Sequence, residues 1–228
     1  MSKEIDPFRS LFTIERFQDY EGEERANLLR VIGVGAFYLI HYLHFHKVKL
    51  GALQLDDVEI SQRFHIIVSA FCAAWALMAL SVLVCLRGFT LPSWVKFATT
   101  AGDLMLLTAI LCIGDGPRSP IVVGYFLILC IAALRFNLKL IQVATVGALG
   151  GYLVVLGCAR WPEWIGRDPM GSVSRYEQLV MLIAIGLTGI ILGQVIRRTR
   201  RLVMSLANQS GRDDEATATQ TSEAGDGA

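Results

Sequence analysis

Residues 65–86, HIIVSAFCAAWALMALSVLVCL, decide the fold of this chain of 228 residues. This stretch of 22 residues contains no Asp, Glu, Lys or Arg. A helix needs about 20 apolar residues to cross the roughly 30 Å hydrocarbon core of a bilayer. Because lipid offers no partners for backbone N–H and C=O groups, an apolar run of this length satisfies them within a helix. The stretch therefore predicts a transmembrane helix.

Five further stretches have the same apolar character, at residues 30–45, 95–113, 120–134, 140–159 and 179–196. Hydrophobic residues make up 54% and charged residues 18% of the chain, against roughly 45–50% and about 25% in soluble domains. We therefore predict an all-α polytopic membrane protein, a bundle of six transmembrane helices. This composition excludes a soluble enzyme with one buried core, and a net charge of +1 indicates no affinity for nucleic acid.

The chain divides into four predicted parts. Residues 1–29 form a cytoplasmic segment, either a helix lying in the membrane interface or an ordinary packed helix, and residues 30–196 form the transmembrane domain. Residues 197–209 form a cytoplasmic signalling-type helix. Residues 210–228 consist mainly of Gly, Asp, Glu, Ala, Thr and Ser. Such a segment buries too little apolar area to offset the entropy of ordering, so we predict a disordered tail.

The distribution of lysine and arginine predicts the orientation of the chain. With six crossings, 14 of the 21 Lys and Arg residues fall on one side of the membrane and 7 on the other. Basic residues accumulate on the cytoplasmic side of membrane proteins. We therefore place both termini in the cytoplasm and the chain in the lipid bilayer of a bacterial inner membrane, as a multi-pass protein.

Histidines cluster at the outer ends of the first two predicted helices, with His41 and His44 on the first and His65 on the second. A pair drawn from the two helices is suited to axial ligation of a b-type haem. The same pair, with acidic residues of the intervening loop, is suited to a divalent metal. A polar belt of aromatic and imidazole rings at the headgroups is the third interpretation. The residues alone leave these three open.

Asp103 lies about eight residues into the third predicted helix, inside the hydrocarbon. A charge there costs at least ~2.5–3.5 kcal/mol on insertion scales, so the carboxyl needs a partner or a wet cavity. Arg135, at the cytoplasmic end of the fourth helix, is the predicted partner because its side chain is long enough to snorkel. A hydrogen bond between the Asp103 carboxyl and Thr99 or Thr100 is the alternative structural interpretation. The functional interpretation is that Asp103 responds to protons or contacts a ligand.

Glycines form a stripe on the last predicted helix, where Gly189 and Gly193 have GxxxG spacing and Gly186 lies on the same face. Small residues at this spacing let two helices approach closely. The stripe fits packing within one chain or between the two chains of a homodimer.

Sequence motifs give no sign of catalysis. The five cysteines lie singly within apolar runs, which predicts no disulfide framework. The chain has no GxGxxG or Walker phosphate loop, no GxSxG elbow and no HExxH pair. We therefore assign no catalytic residue and expect a protein that is not an enzyme.

Three segments carry a resemblance to a known class of proteins: residues 103–108 (DLMLLT), 114–120 (GDGPRSP) and 133–136 (ALRF). They resemble the six-helix membrane input domains found ahead of bacterial sensor histidine kinases and related cyclase receptors. Those domains often have an aspartate in the third helix, an outer hairpin of Gly-Gly-x-x-Ser-Pro type and an Arg-Phe pair ending the fourth helix. Some of them sense haem or quinone. The candidate signal-coupling residues are Asp103, Arg135, Arg118, Ser119, Pro120, Gly189 and Gly193.

The resemblance implies a sensory or regulatory module that relays a ligand, quinone or redox signal through its last helix. No kinase or cyclase sequence follows residue 209. We therefore expect either that the signal passes to a cytoplasmic kinase or cyclase on another chain, or that the output domain has been lost or trimmed away. The alternative function is a membrane electron carrier of the b-type cytochrome kind, linked to quinone, with haem held by the histidines.

Overall fold

The computed structural model describes the backbone of residues 7–47, 61–88, 92, 94–161, 163 and 173–225, and within these ranges the side chains of residues 20–203 and 205. These ranges are almost wholly helical and contain no strand, which confirms the all-α class. The described residues form six α-helices: α1 (Pro7–Phe45), α2 (Gln62–Arg87), α3 (Val95–Ile113), α4 (Gly124–Ala133), α5 (Leu138–Arg160) and α6 (Arg175–Gly225). Two short 3₁₀ segments, Gly116–Arg118 and Pro120–Val123, connect α3 to α4.

Five helices contain stretches that are long and apolar enough to cross a membrane: Tyr20–Phe45, Gln62–Arg87, Val95–Ile113, Leu138–Arg160 and Arg175–Val203. The remaining apolar segment, Pro120–Ala133, is shorter than a typical span. It begins with a 3₁₀ turn in which the Ser119 hydroxyl accepts a hydrogen bond from the Ile121 N–H. The fold is thus compatible with a multi-pass membrane protein, and five of the six predicted spans have full length among the described residues.

The start of α1 differs from the predicted domain boundary at residue 30. The helix runs unbroken from Pro7 to Phe45, and its apolar stretch begins at Tyr20. Residues 7–29 are therefore continuous with the spanning helix instead of forming a separate interfacial one. Charge counting placed the boundary too late because Glu23 and Arg30 are charged, yet both are buried inside the bundle.

The end of α6 also differs from the prediction. The helix was expected to stop near residue 209, ahead of a disordered tail, but its backbone is helical to Gly225. No proline occurs between residues 176 and 225, so no residue in this stretch lacks the backbone N–H that a helix requires.

Helix α5 lies at the centre of the bundle and packs against α3, α4 and α6. The fully buried apolar core comes from these four helices and their hairpin, and includes Leu111, Leu129, Leu140, Ala144, Ala148, Tyr152, Val155 and Ile185. A Cβ placed on Gly189 would overlap the side chain of Thr145 on α5, and one on Gly193 would touch Leu138. Within the described structure, the glycine stripe therefore packs α6 against its own chain.

Helices α1 and α2 pack chiefly against each other, and α1 also touches α4. Many of their apolar side chains, such as Ile32 and Leu77, are exposed as expected for a surface in contact with lipid. At one end of the bundle Arg135 contacts both Glu23 of α1 and Lys96 at the start of α3. Arg200 of α6 donates a hydrogen bond to the carbonyl of Phe136, the residue after Arg135, so the C-terminal half of α6 leaves the bundle at this same end. The N-terminal half of α1 also leaves it here, because Glu23 of α1 contacts Arg135.

Candidate functional site

A buried ion pair joins α1 to α3 within the apolar part of the bundle. The Arg30 guanidinium donates from Nε to Asp103 Oδ1 at 2.9 Å and from Nη2 to Asp103 Oδ2 at 2.9 Å. The two side chains are 2% and 4% exposed. This bidentate geometry is the strongest form of arginine–carboxylate contact. The predicted partner of Asp103 was Arg135, and the structure corrects this to Arg30.

Two neighbours complete the hydrogen bonding of this pair. Asn27 accepts a bond from Arg30 Nη1 at 2.8 Å and donates to the carbonyl of Ala79 on α2 at 3.1 Å. Trp75 of α2 donates its indole N–H to Asp103 Oδ1 at 2.9 Å. The pair is therefore tied to three helices, and its charges cancel, which lowers the cost of holding them in hydrocarbon.

A second buried pair lies nearer the end of the bundle where the α4–α5 turn is found. Arg135 donates from Nη2 to Glu23 at 2.6 Å, and both side chains are 2% exposed. Its Nη1 bonds the Lys96 carbonyl at 2.8 Å and the Thr100 hydroxyl at 2.6 Å, while Nη2 also reaches the Thr99 hydroxyl. The two threonines thus solvate Arg135, whereas the sequence had suggested them as alternative partners of Asp103.

The turn that presents Arg135 has an unusual backbone. The next residue, Phe136, has a φ of 46°, in the left-handed region that side chains other than glycine rarely adopt. Its carbonyl accepts a bond from Arg200 of α6 at 2.9 Å. Strained residues of this kind persist where surrounding contacts hold them, as at functional sites. The α4–α5 turn therefore contacts α1 through Arg135 and α6 through Phe136.

Sequence reasoning missed Glu23, Asn27 and Arg30 because they precede or border the first predicted span. A signal was present in their spacing, since residues 23, 27 and 30 are four and three apart and share one helix face. The same face continues through Val34 and Tyr38, both of which line the cavity described next.

A cavity of about 110 Å³ lies between α1, α2, α3 and α4. One end is formed by Arg30, Asp103 and Trp75, and the other by His41 and the hairpin side of the bundle. Its walls are almost entirely apolar, from Val68, Leu107, Ile110, Ile121, Ile128 and Ile131. An open cleft of about 590 Å³ between α1 and α2 shares several of these lining residues and reaches the lipid-facing surface.

His41, which lines the other end of this cavity, is in direct contact with His65, a second predicted histidine. His41 Nε2 lies 3.2 Å from His65 Nδ1, and the ring planes are 16° apart. His44 lies one turn further along α1 and is partly buried. Among the described residues no group of three His, Cys, Asp or Glu is placed to hold a metal. The acidic loop residues Asp56, Asp57 and Glu59 lie outside the described residues.

The histidine pair does not fit an axially ligated haem. Axial ligands lie on opposite faces of a flat macrocycle, which separates their nitrogens by two metal–nitrogen bonds, about 4 Å at ~2.0 Å each. The nitrogens of His41 and His65 are 3.2 Å apart and already contact each other. No space exists between them for the ring.

The α3–α4 hairpin, predicted to lie on the outer side, is at the histidine end of the bundle, far along α3 from the charged pairs. Ser119 is buried, Arg118 and Pro120 are exposed, and Gly116 has a positive φ of 62° that favours glycine. Gly114 lies beside Phe64, which in turn contacts His41. The predicted signal-coupling residues therefore divide into a hairpin group near the histidines, a charged group near Arg135, and the glycines on α6.

Comparisons with known protein families, with characterised proteins and with solved structures found no match to this chain. The resemblance of its three short segments to sensor input domains therefore stays a prediction.

Proposed function

We propose that this chain is a non-enzymatic sensory or regulatory module of a bacterial inner membrane that relays the occupancy of its internal cavity to a cytoplasmic partner. The observation that carries the proposal is the apolar cavity ending on the buried Arg30–Asp103 pair. Close packing is the more stable arrangement for helices without a ligand. Unfilled space next to a charged pair therefore favours a binding role over a purely structural one.

The lining of the cavity favours a membrane-soluble ligand with a carbonyl oxygen, such as a quinone. Apolar walls suit a ring or isoprenoid chain, and the cleft between α1 and α2 opens a route from the lipid. The bonds from Arg30 to Asp103 and Asn27 occupy three of the five guanidinium N–H groups. Two N–H groups are left to donate to an acceptor on the ligand.

The contacts around the α4–α5 turn supply a route from the cavity to α6. Helix α1 lines the cavity through Arg30 and holds Arg135 through Glu23. The next residue, Phe136, bonds Arg200 of α6. A ligand that binds one position of α1 more tightly than another shifts the population of both positions, and this turn passes the change to α6. The helical extension of α6 beyond residue 203 is the proposed contact for a kinase or cyclase chain.

The proposal is tested with decylubiquinone, a short-chain quinone, added to the protein in nanodiscs. Tryptophan fluorescence follows binding, and spin labels at Lys139 and Ser205 in a cysteine-free background follow the position of α6. We expect saturable binding and a changed distance between the labels. Val34→Phe, which fills the cavity, should weaken binding at least about tenfold, whereas Val146→Phe on the lipid-facing side of α5 should leave it unchanged.

Glu23→Gln separates binding from relay. This variant should bind the quinone as the wild type does, but the label distance should change less, because the charge that ties α1 to Arg135 is gone. Absence of saturable binding to the wild type, or binding with no movement of α6, contradicts the proposal.

A further inference from the structure

The contact between His41 and His65 has the dimensions of a metal chelate. Their nitrogens Nε2 and Nδ1 are 3.2 Å apart, and the ring centroids are 5.3 Å apart. Two imidazole nitrogens that bind one tetrahedral Zn²⁺ at ~2.0–2.1 Å lie about 3.3 Å from each other. The two nitrogens are therefore at the separation that one tetrahedral ion requires, and each ring turns to aim its in-plane lone pair at the ion instead of at the other nitrogen.

Both rings are held in place by aromatic neighbours. The ring of Phe45 stacks on His65 with centroids 3.8 Å apart, and the ring of Phe64 meets His41 edge-on at 5.8 Å. Ligands that are already oriented lose less entropy when they bind. The two histidines also belong to different helices, so a shared ion would join α1 to α2 at the outer end of the cavity.

We propose that His41 Nε2 and His65 Nδ1 bind one divalent transition-metal ion of the Zn²⁺, Cu²⁺ or Ni²⁺ class. Neutral imidazole is a preferred ligand of these ions, whereas Mg²⁺ and Ca²⁺ prefer oxygen. The described residues supply two ligands, so water or an external donor completes the coordination. On binding, the proton that one imidazole shares with the other moves to the far nitrogen of its own ring, and both rings stay neutral.

The metal ligands do not include Arg30 or Asp103, although His41 also lines the cavity proposed for the quinone. Zn²⁺ binding measured without quinone therefore tests the metal site separately from the proposed function. Its effect on the fold is an added restraint between α1 and α2. We therefore expect saturating Zn²⁺ to raise the thermal unfolding temperature of the wild type in the absence of quinone.

The decisive experiment titrates ZnCl₂ into the full chain in nanodiscs by calorimetry, with any polyhistidine tag removed. We expect one Zn²⁺ per chain. His41→Gln and His65→Gln should each weaken binding at least about tenfold, and His46→Gln should change it less than about twofold, because no third His, Cys, Asp or Glu among the described residues is placed to share an ion with the pair. Equal loss in the His46 variant, or binding that survives His65→Gln, overturns the assignment.

Electron paramagnetic resonance of Cu²⁺ bound to the wild type counts the coordinating nitrogens directly, so this second test does not depend on the folding of any variant. Two equivalent imidazole nitrogens are expected in the spectrum at one Cu²⁺ per chain. A spectrum with a single imidazole nitrogen, or no saturable Zn²⁺ or Cu²⁺ binding, overturns the proposal.

Discussion

Helices α3–α6 and the pair α1–α2 are held in the bundle by different kinds of contact. The first group shares a close-packed apolar core, and the closest approach of α6 to α5 is made at Gly189. The second group contributes little to that core and is attached by the Arg30–Asp103 and Glu23–Arg135 pairs. Cavities also lie along α1 and α2, whereas α3–α6 share a cluster of fully buried side chains.

If the proposed function holds, this difference indicates which helix responds to the ligand. Apolar packing against lipid and apolar packing against protein are similar in energy, so directional polar contacts decide where a loosely packed helix lies. Ion pairs have few alternative arrangements, and a helix attached by them changes position in discrete steps. In the proposed relay, α3–α5 serve as the fixed frame, α1 responds to the ligand, and α6 follows through the α4–α5 turn.

The largest expected effect comes from breaking the charged attachment of α1. Asp103→Leu leaves Arg30 buried without its partner and should lower the free energy of unfolding by ~3–5 kcal/mol. The double variant Arg30→Met with Asp103→Leu should recover most of that loss, because no unpaired charge remains. Thermal unfolding in detergent gives both values, with the exposed Asp115→Asn as the control. A double variant as unstable as the sum of its single variants would show that the pair is not a unit.

A smaller difference in the loss of unfolding free energy is expected between a residue of the filled core and a residue of the cavity wall. Leu129→Ala in the core should cost ~2–5 kcal/mol of unfolding free energy, because its neighbours lose contacts they cannot replace. Val34→Ala should cost about 1 kcal/mol or less, since this side chain already borders empty space on both sides. Chemical denaturation of the two variants measures the difference, and equal losses would remove the distinction between the two regions.

The smallest effect concerns the two glycines of α6. Gly189→Ala should lower the unfolding free energy by ~1–3 kcal/mol, because the new methyl group meets Thr145. Gly186→Ala should leave it unchanged or raise it by up to about 1 kcal/mol, because open space surrounds that position and alanine favours helix. If Gly186→Ala is the more damaging variant, that face of α6 contacts another chain.

Bilayer thickness made most of the fold predictable. The helix predicted at residues 95–113 has the same bounds as α3, because its length and apolar character are set by the hydrocarbon it crosses. The fourth helix was predicted at residues 120–134, but its first turn is 3₁₀ and its α-helical part has 10 residues. Hydropathy alone does not distinguish these two helical forms.

The charged site was predictable only in part. The cost of a buried charge was enough to single out Asp103 and to require a partner for it. The identity of that partner depends on which helices are neighbours, and a single sequence does not contain that information directly. Arg30 was read as a boundary residue because it ends a charged segment, although its spacing from Asn27 and Glu23 placed all three on one buried face.

The tight contact at Gly189 has a mechanical consequence for α6. Because Thr145 packs against the backbone at Gly189, this residue is a pivot point of α6. The helix segments on the two sides of the pivot differ in length. From Gly189 the helix extends about 21 Å to Arg175 and about 54 Å to Gly225, at 1.5 Å per residue. A tilt that displaces the end of the short segment by one ångström therefore moves the tip of the long segment by roughly two and a half.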